Sequence, residues 1–239
     1  MGKIAILILL CISLSSCALF KRNRVHEHNG IEKNEFNLPI FLYPSKIPSS
    51  KKLLIFLSGD GGWIEFEDNL SLKFAEQGFN TIGINSRSYF WEKKTPEQTK
   101  ADIVQLIRKY VKIYGSYHLY ICGYSFGADV VPFIYNRLPP RAKKHLVALE
   151  MLSPYSTTDF KVKLSDLTNL AGDHKHYKVD KELEKVTATT YCFYGVDEDE
   201  QSLKDLKISN FHVTILKGDH HYDPSELDKI VAALSNAKK

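Results

Sequence analysis

The chain has 239 residues, 44% hydrophobic and 25% charged, a balance that excludes a disordered, collagenous or coiled-coil chain as a whole. The length suits one α/β domain whose core is large enough to stand without disulfide staples. A net charge of +4 arises from 32 basic and 28 acidic residues mixed along the chain, so nucleic acid has no support as a partner.

Residues 1–16 read as a secretory signal and not as part of the fold: Lys3 gives a positive start, and Ile4 to Ile12 is an apolar run shorter than the roughly 20 residues that span a bilayer. The run ends in Leu14-Ser15-Ser16-Cys17, which resembles the bacterial lipobox. That resemblance implies lipidation of Cys17, which then becomes the mature N-terminus; a lipid there adds roughly 0.8 kcal/mol of anchoring per buried CH₂. The expectation is an exported lipoprotein held at a membrane and facing the periplasm, with Ala18 consistent with the outer membrane. Residues 17–36, rich in Lys, Arg, His and Asn, are expected to be a flexible tether, and 37–239 the domain.

From Leu38 the pattern turns globular. Leu38–Tyr43 and Lys52–Leu57 read as strands, the second stopping at Ser58-Gly59-Asp60-Gly61-Gly62-Trp63. Helical periodicity runs from Ile64 to Gln77, a strand covers Phe79–Ile84, and Thr95-Pro96-Glu97 opens an amphipathic helix that closes at Gly115. Next come a strand at Tyr117–Cys122, a helix at Phe126–Arg137 stopped by Pro139-Pro140, and a strand at His145–Leu152. Residues 155–188 are irregular and are expected to insert over the sheet. Strands at Thr189–Tyr194 and Phe211–Leu216 precede a closing helix, Ser225–Ala237, with Ser225 as its cap. Strands alternating with helices imply a doubly wound, mostly parallel sheet with helices on both faces, and ligands bind outside the carboxyl ends of such strands. Cys122 and Cys192 lie in the apolar strands and are expected to be buried free thiols.

Gly123-Tyr124-Ser125-Phe126-Gly127 is a G-x-S-x-G motif directly after a strand and directly before a helix. That is the setting of a nucleophile elbow, the mark of the α/β-hydrolase fold, in which Ser125 is the nucleophile. A serine hydroxyl needs a base and the base an orienting carboxylate, in the chain order Ser, acid, His. The loop after the last strand offers His220, preferred as the first His after a Gly-x turn, with His221 in reserve. The loop after Thr189–Tyr194 reads Gly195-Val196-Asp197-Glu198-Asp199-Glu200; Glu200 is preferred, then Glu198, then Asp197. The oxyanion hole takes backbone N–H groups from Phe126 and from Asp60, with Gly61 as alternative. His174 and His176 form an H-x-H pair, but two ligands do not make a zinc site. No metal and no organic cofactor is required.

Leu57–Trp63, Gly123–Phe133 continuing through Asn136-Arg137-Leu138-Pro139, and Gly218-Asp219-His220-His221-Tyr222-Asp223 together resemble the VirJ/AcvB family of exported bacterial proteins, over roughly residues 37–235. The resemblance implies an α/β-hydrolase fold and hydrolysis of lysyl-phosphatidylglycerol at the outer face of the inner membrane, with links to virulence and type IV secretion. Two departures stand out. Glu200 takes the place of a family Asp, and Gly218-Asp219-His220-His221-Tyr222 stands where the family often has Gly-Gly-His-His-Phe. An aminoacyl ester is activated enough for acyl transfer through Ser125, and a cationic aminoacyl group would need carboxylates nearby. Asp60, Asp129 and the Asp197–Glu200 run flank the expected site and are the candidates, although an acid at 129 also suits the first turn of a helix. The competing expectation is a non-catalytic periplasmic factor that uses the hydrolase scaffold to dock secreted proteins.

Overall fold

The computed structural model describes residues 28–162 and 175–239. The expected signal segment, Cys17, most of the tether and His174 lie outside them. Among the described residues no helix is long and apolar enough to cross a membrane.

The segment expected to be tether ends in structure. β1 (Ile31–Glu35) pairs antiparallel with β2 (Leu38–Tyr43), and the two-residue turn between them places Phe36 at φ 55° and Asn37 at φ 62°. Positive φ at both central positions matches the right-handed twist of a hairpin. Phe36 carries no turn signal, and β1 is exposed along its length except for half-buried Glu35, so neither hydrophobicity nor turn chemistry marks this strand in the sequence.

β2 continues antiparallel onto β4 (Phe79–Ile84), and from there the sheet is parallel through β3 (Lys52–Leu57), β5 (His118–Tyr124) and β6 (Leu146–Leu152). Two short strands, β7 (Thr157–Thr158) and β8 (Tyr177–Lys178), form a separate ribbon. β9 (Thr190–Gly195) and β10 (Phe211–Leu216) then complete the eight-stranded order β1-β2-β4-β3-β5-β6-β9-β10.

Period-two alternation sends successive side chains to opposite faces, so each central strand feeds two cores. Leu53, Ile55 and Leu57 of β3 enter one layer; Leu54 and Phe56 enter the other. The first layer is covered by α3 (Pro96–Tyr114) and α4 (Phe126–Arg137), the second by α1 (Glu65–Glu76) and α7 (Leu227–Asn236). Cys122 and Cys192 are buried free thiols in different layers, which rules out a bridge between them.

Local signals explain most boundaries. Thr95 accepts from the Gln98 N–H, the Gln98 side chain accepts from the Thr95 N–H, and Gly115 closes α3 at φ 59°, a capping box with a left-handed stop. Pro139-Pro140 ends α4 as expected but also opens α5 (Pro140–His145), with Pro140 in the first turn, where its missing N–H costs nothing. A one-turn α2 (Ser86–Tyr89), capped by Asn85, follows β4. The last helix is entered through a 3₁₀ turn capped by Asp223, which accepts from the Ser225 N–H at 2.9 Å, so the cap is Asp223 and not Ser225. The insertion after β6, which includes α6 (Val179–Leu183), packs Phe160 and Val179 into the first layer.

Among the described residues three acids are fully buried: Glu67 in α1, Asp129 in α4 and Glu150 in β6. Burial raises the pKa of all three, Glu67 to about 8, Asp129 and Glu150 well above the carboxylate range. A carboxyl kept protonated in the fold stabilises it below the pKa of the unfolded chain, and the contribution is lost as pH rises through the folded value. Thermal unfolding is therefore expected at lower temperature near about pH 8 than near about pH 5. Glu150→Gln should flatten that slope by raising Tm at the alkaline end; a slope unchanged by this substitution would contradict the assignment.

Candidate active site

The turn between β5 and α4 holds Ser125 at φ 51°, ψ −121°, a conformation that costs a non-glycine residue energy and persists only when its surroundings impose it. Here they do. A Cβ on Gly123 would lie 2.3 Å from the Gly127 carbonyl oxygen, and one on Gly127 would lie 2.4 Å from that of Leu57. The two glycines let α4 settle directly on β5 and β3, and the Ser125 N–H is tied to the Leu152 carbonyl at 2.7 Å. The Ser125 hydroxyl has no hydrogen-bond partner among the described residues. Phe126 is the first residue of α4, so its N–H has no intrahelical acceptor and points out of the helix start.

The loop after β3 is set by Glu67, a residue not singled out in the sequence. One carboxyl oxygen of Glu67 accepts from the Gly59 N–H at 3.1 Å and the other from the Ile64 N–H at 3.2 Å. The bond to Glu67 commits the Gly59 N–H, which leaves the loop's Asp60 and Gly61 as the positions for an oxyanion donor. Trp63 anchors the far end of the loop. Its ring lies where a side chain on Gly83 would be, and its Nε1–H donates to the Tyr43 hydroxyl at 3.0 Å. Ser58 adds a third tie by accepting from the Ser86 N–H at 3.0 Å.

Across the carboxyl edge, His220 Nδ1 stands 3.2 Å from Glu198 Oε2, and the His220 ring centroid is 5.2 Å from that of Tyr124, the neighbour of Ser125. The preferred acid, Glu200, does not reach the imidazole. It is exposed and takes a hydrogen bond from the Ser202 hydroxyl. Asp197 is also exposed. Glu198 is the acid that meets the imidazole, because its side chain, 4% exposed, turns inward. Its Oε1 accepts from the Ser153 hydroxyl at 2.6 Å and from the Gly195 N–H. Backbone bonds clamp the acid loop to the histidine loop: Val196 N–H to the Leu216 carbonyl at 2.8 Å and Asp197 N–H to the Gly218 carbonyl at 3.0 Å. His221 is half exposed and faces Asp219, and burial together with the His220 charge lowers its pKa.

Ser153 and Tyr222 are further residues that the sequence did not reveal. Both have left-handed backbones, φ 52° and 59°, and their oxygens lie 2.6 Å apart. Burial pushes the Tyr222 phenol far up, so it stays neutral. Its single proton faces two acceptors, Ser153 Oγ and the Phe193 carbonyl at 3.1 Å. The Ser153 proton goes to Glu198. A chain of Tyr222, Ser153, Glu198 and His220 therefore fixes the imidazole.

Asp60 is partly exposed, and its charge acts on Glu67, Asp129, Tyr124 and Tyr155. Asp129 is placed differently from the expected ligand contact. It is 0% exposed, and one oxygen accepts from the Tyr155 N–H at 2.7 Å, tying the first turn of α4 to the loop after β6. Its neighbour in space, Lys175, lies over the Tyr155 ring. Among the described residues no group of three potential ligands could hold a metal ion. His176 pairs with Asp159.

A mostly parallel sheet covered on both sides, with a strained serine at a strand–helix elbow, is the α/β-hydrolase fold. Solved structures agree. Est1E from Butyrivibrio proteoclasticus superposes with a TM-score of 0.60 at 14% identity, covering 86% of this chain and 96% of that one. A CIB-like hydrolase from Thermoplasma acidophilum gives 0.60 at 14% identity, covering 88% and 99%, and an esterase from Pyrococcus furiosus 0.57 at 13% identity, covering 87% and 90%. No curated protein sequence matches the chain. The family model described as "Bacterial virulence protein (VirJ)" matches residues 51–238, and the chain belongs to that family.

If the Ser153 hydroxyl holds Glu198 in place, Ser153→Ala removes a hydrogen bond to a charged group, worth about 1.5–3 kcal/mol. The rate at which a fluorophosphonate labels Ser125 should fall about ten- to hundredfold. Labelling at the wild-type rate in Ser153→Ala would remove Ser153 from the site.

Proposed function

We propose that this protein is a membrane-anchored serine hydrolase that cleaves a carboxylic ester of an aminoacyl phospholipid such as lysyl-phosphatidylglycerol. The observation that carries the reading is the contact of His220 Nδ1 with the buried carboxyl of Glu198 on the edge where the elbow presents Ser125. With Nδ1–H directed to Glu198, Nε2 is the basic nitrogen. Ser125 Oγ attacks the ester carbonyl as Nε2 takes its proton. The N–H groups of Phe126 and of Asp60 or Gly61 receive the oxyanion. Collapse of the intermediate breaks the bond to the lipid glycerol oxygen, which leaves with the proton from Nε2, and the aminoacyl group stays esterified to Ser125. Water activated by the same nitrogen then releases the amino acid and restores the serine. The reaction needs no redox partner, and an aminoacyl ester is activated enough to make it undemanding.

Asp60, partly exposed beside the elbow, is the carboxylate suited to a cationic aminoacyl group, whereas burial keeps Asp129 neutral. Membership of a bacterial virulence family supports export, and a lipid on Cys17 would hold the domain near a lipid substrate.

Release of lysine from lysyl-phosphatidylglycerol in mixed micelles tests the reading. Ser125→Ala should abolish both release and fluorophosphonate labelling. Glu198→Gln should lower kcat by about 10⁴-fold, as loss of the orienting carboxylate does in serine proteases, while Glu200→Gln stays near wild type. Labelling that survives Ser125→Ala, or equal losses in the two Glu variants, would overturn it. Anchoring is tested apart from catalysis: labelled palmitate is expected in the wild-type protein expressed in a bacterial host and absent from Cys17→Ser, and equal incorporation in both would refute the lipid site.

A further inference from the structure

At the opposite end of β5 from Ser125, roughly 20 Å along the strand, lies a pocket of about 430 Å³ that the reaction above does not use. It opens between the second half of α3, the first residues of β5, and α5. Its walls are apolar, built from Val104, Ile107, Val111, Leu119 and Ala142. The volume falls in the range of small-molecule sites, ~300–1,000 Å³.

Two observations say what it would hold. Arg108, Lys112 and Arg141 also line it, no Asp or Glu does, and none of the three cations has an ion pair among the described residues. Surface cations gathered without acids around an apolar cleft raise the local concentration of anions.

We propose that this pocket binds a single acyl chain bearing an anionic headgroup, with the chain against Val104, Ile107 and Ala142 and the headgroup on Arg108, Lys112 and Arg141. The site is independent of the Ser125 chemistry and stands or falls apart from it.

The test is calorimetric titration of the full chain carrying Ser125→Ala, so that no probe is turned over, with dodecanoate below its micelle concentration. Dodecyltrimethylammonium serves as the same chain with opposite charge. Saturable binding of dodecanoate alone is expected. Arg108→Ala and Arg141→Ala should each weaken it about two- to fivefold, the worth of one exposed charge contact. Ala142→Phe, which fills the cleft, should abolish it; the surface pair Arg108→Glu with Arg141→Glu should do the same without touching the core. Co-sedimentation with phosphatidylglycerol vesicles, lost in the double-Glu variant, would place the ligand in a bilayer. Dodecanoate binding without co-sedimentation would make it a free amphiphile; either supports the site. No saturable dodecanoate binding, equal binding of the cationic probe, or full binding in both the filled and the double-Glu variants would overturn it.

Discussion

The close approach of α4 to the sheet sets where the candidate site of this molecule lies. Backbone atoms of Gly127 and Leu57 occupy the space that side chains at Gly123 and Gly127 would need. With the helix seated that low, the chain passes from β5 to α4 only by bending sharply at Ser125, which accepts a left-handed φ as the consequence. The strain is local, and the two packed layers on either side of the sheet hold it in place. The outcome is a hydroxyl raised above the strand ends and next to the first free N–H of a helix.

The other parts of the site are held to that point by buried polar groups. Glu67 uses both carboxyl oxygens to fix the loop after β3 from beneath. Glu198 is fixed by Ser153 and Gly195, and Ser153 in turn by Tyr222. Left-handed, non-glycine backbone recurs at Ser125, Ser153 and Tyr222, each at the carboxyl end of the sheet. Strain and the carboxyls that hold the loops are thus gathered at one edge, whereas the strands below it are filled mostly by Leu, Ile, Val and Phe, with buried Glu150 of β6 among them. The opposite edge carries exposed cations and an apolar cleft, so the two ends of one sheet present different chemistry.

Hydrophobic pattern and local signals in the sequence determined the parallel strands, the two-sided helix cover, the capped α3 and the elbow at Ser125, because apolar period, Gly, Pro and caps act over a few residues. They also located the histidine and acid loops, since chain order along a doubly wound sheet places both at its carboxyl edge. They did not find β1, which is mostly polar after Ile31 and whose turn uses Phe36 and Asn37 at positive φ. Nor could they choose among four consecutive acids. Glu198 and Glu200 are the same residue type two positions apart, and only the clamp between the two loops and the inward donors Ser153 and Gly195 turn Glu198 to the imidazole and leave Glu200 in solvent. Ser153, Tyr222 and Glu67 reach their partners across 45, 69 and 8 residues of chain. The sequence thus fixed no such pairings: a hydrogen bond between distant segments exists only once the sheet has brought its strand ends together.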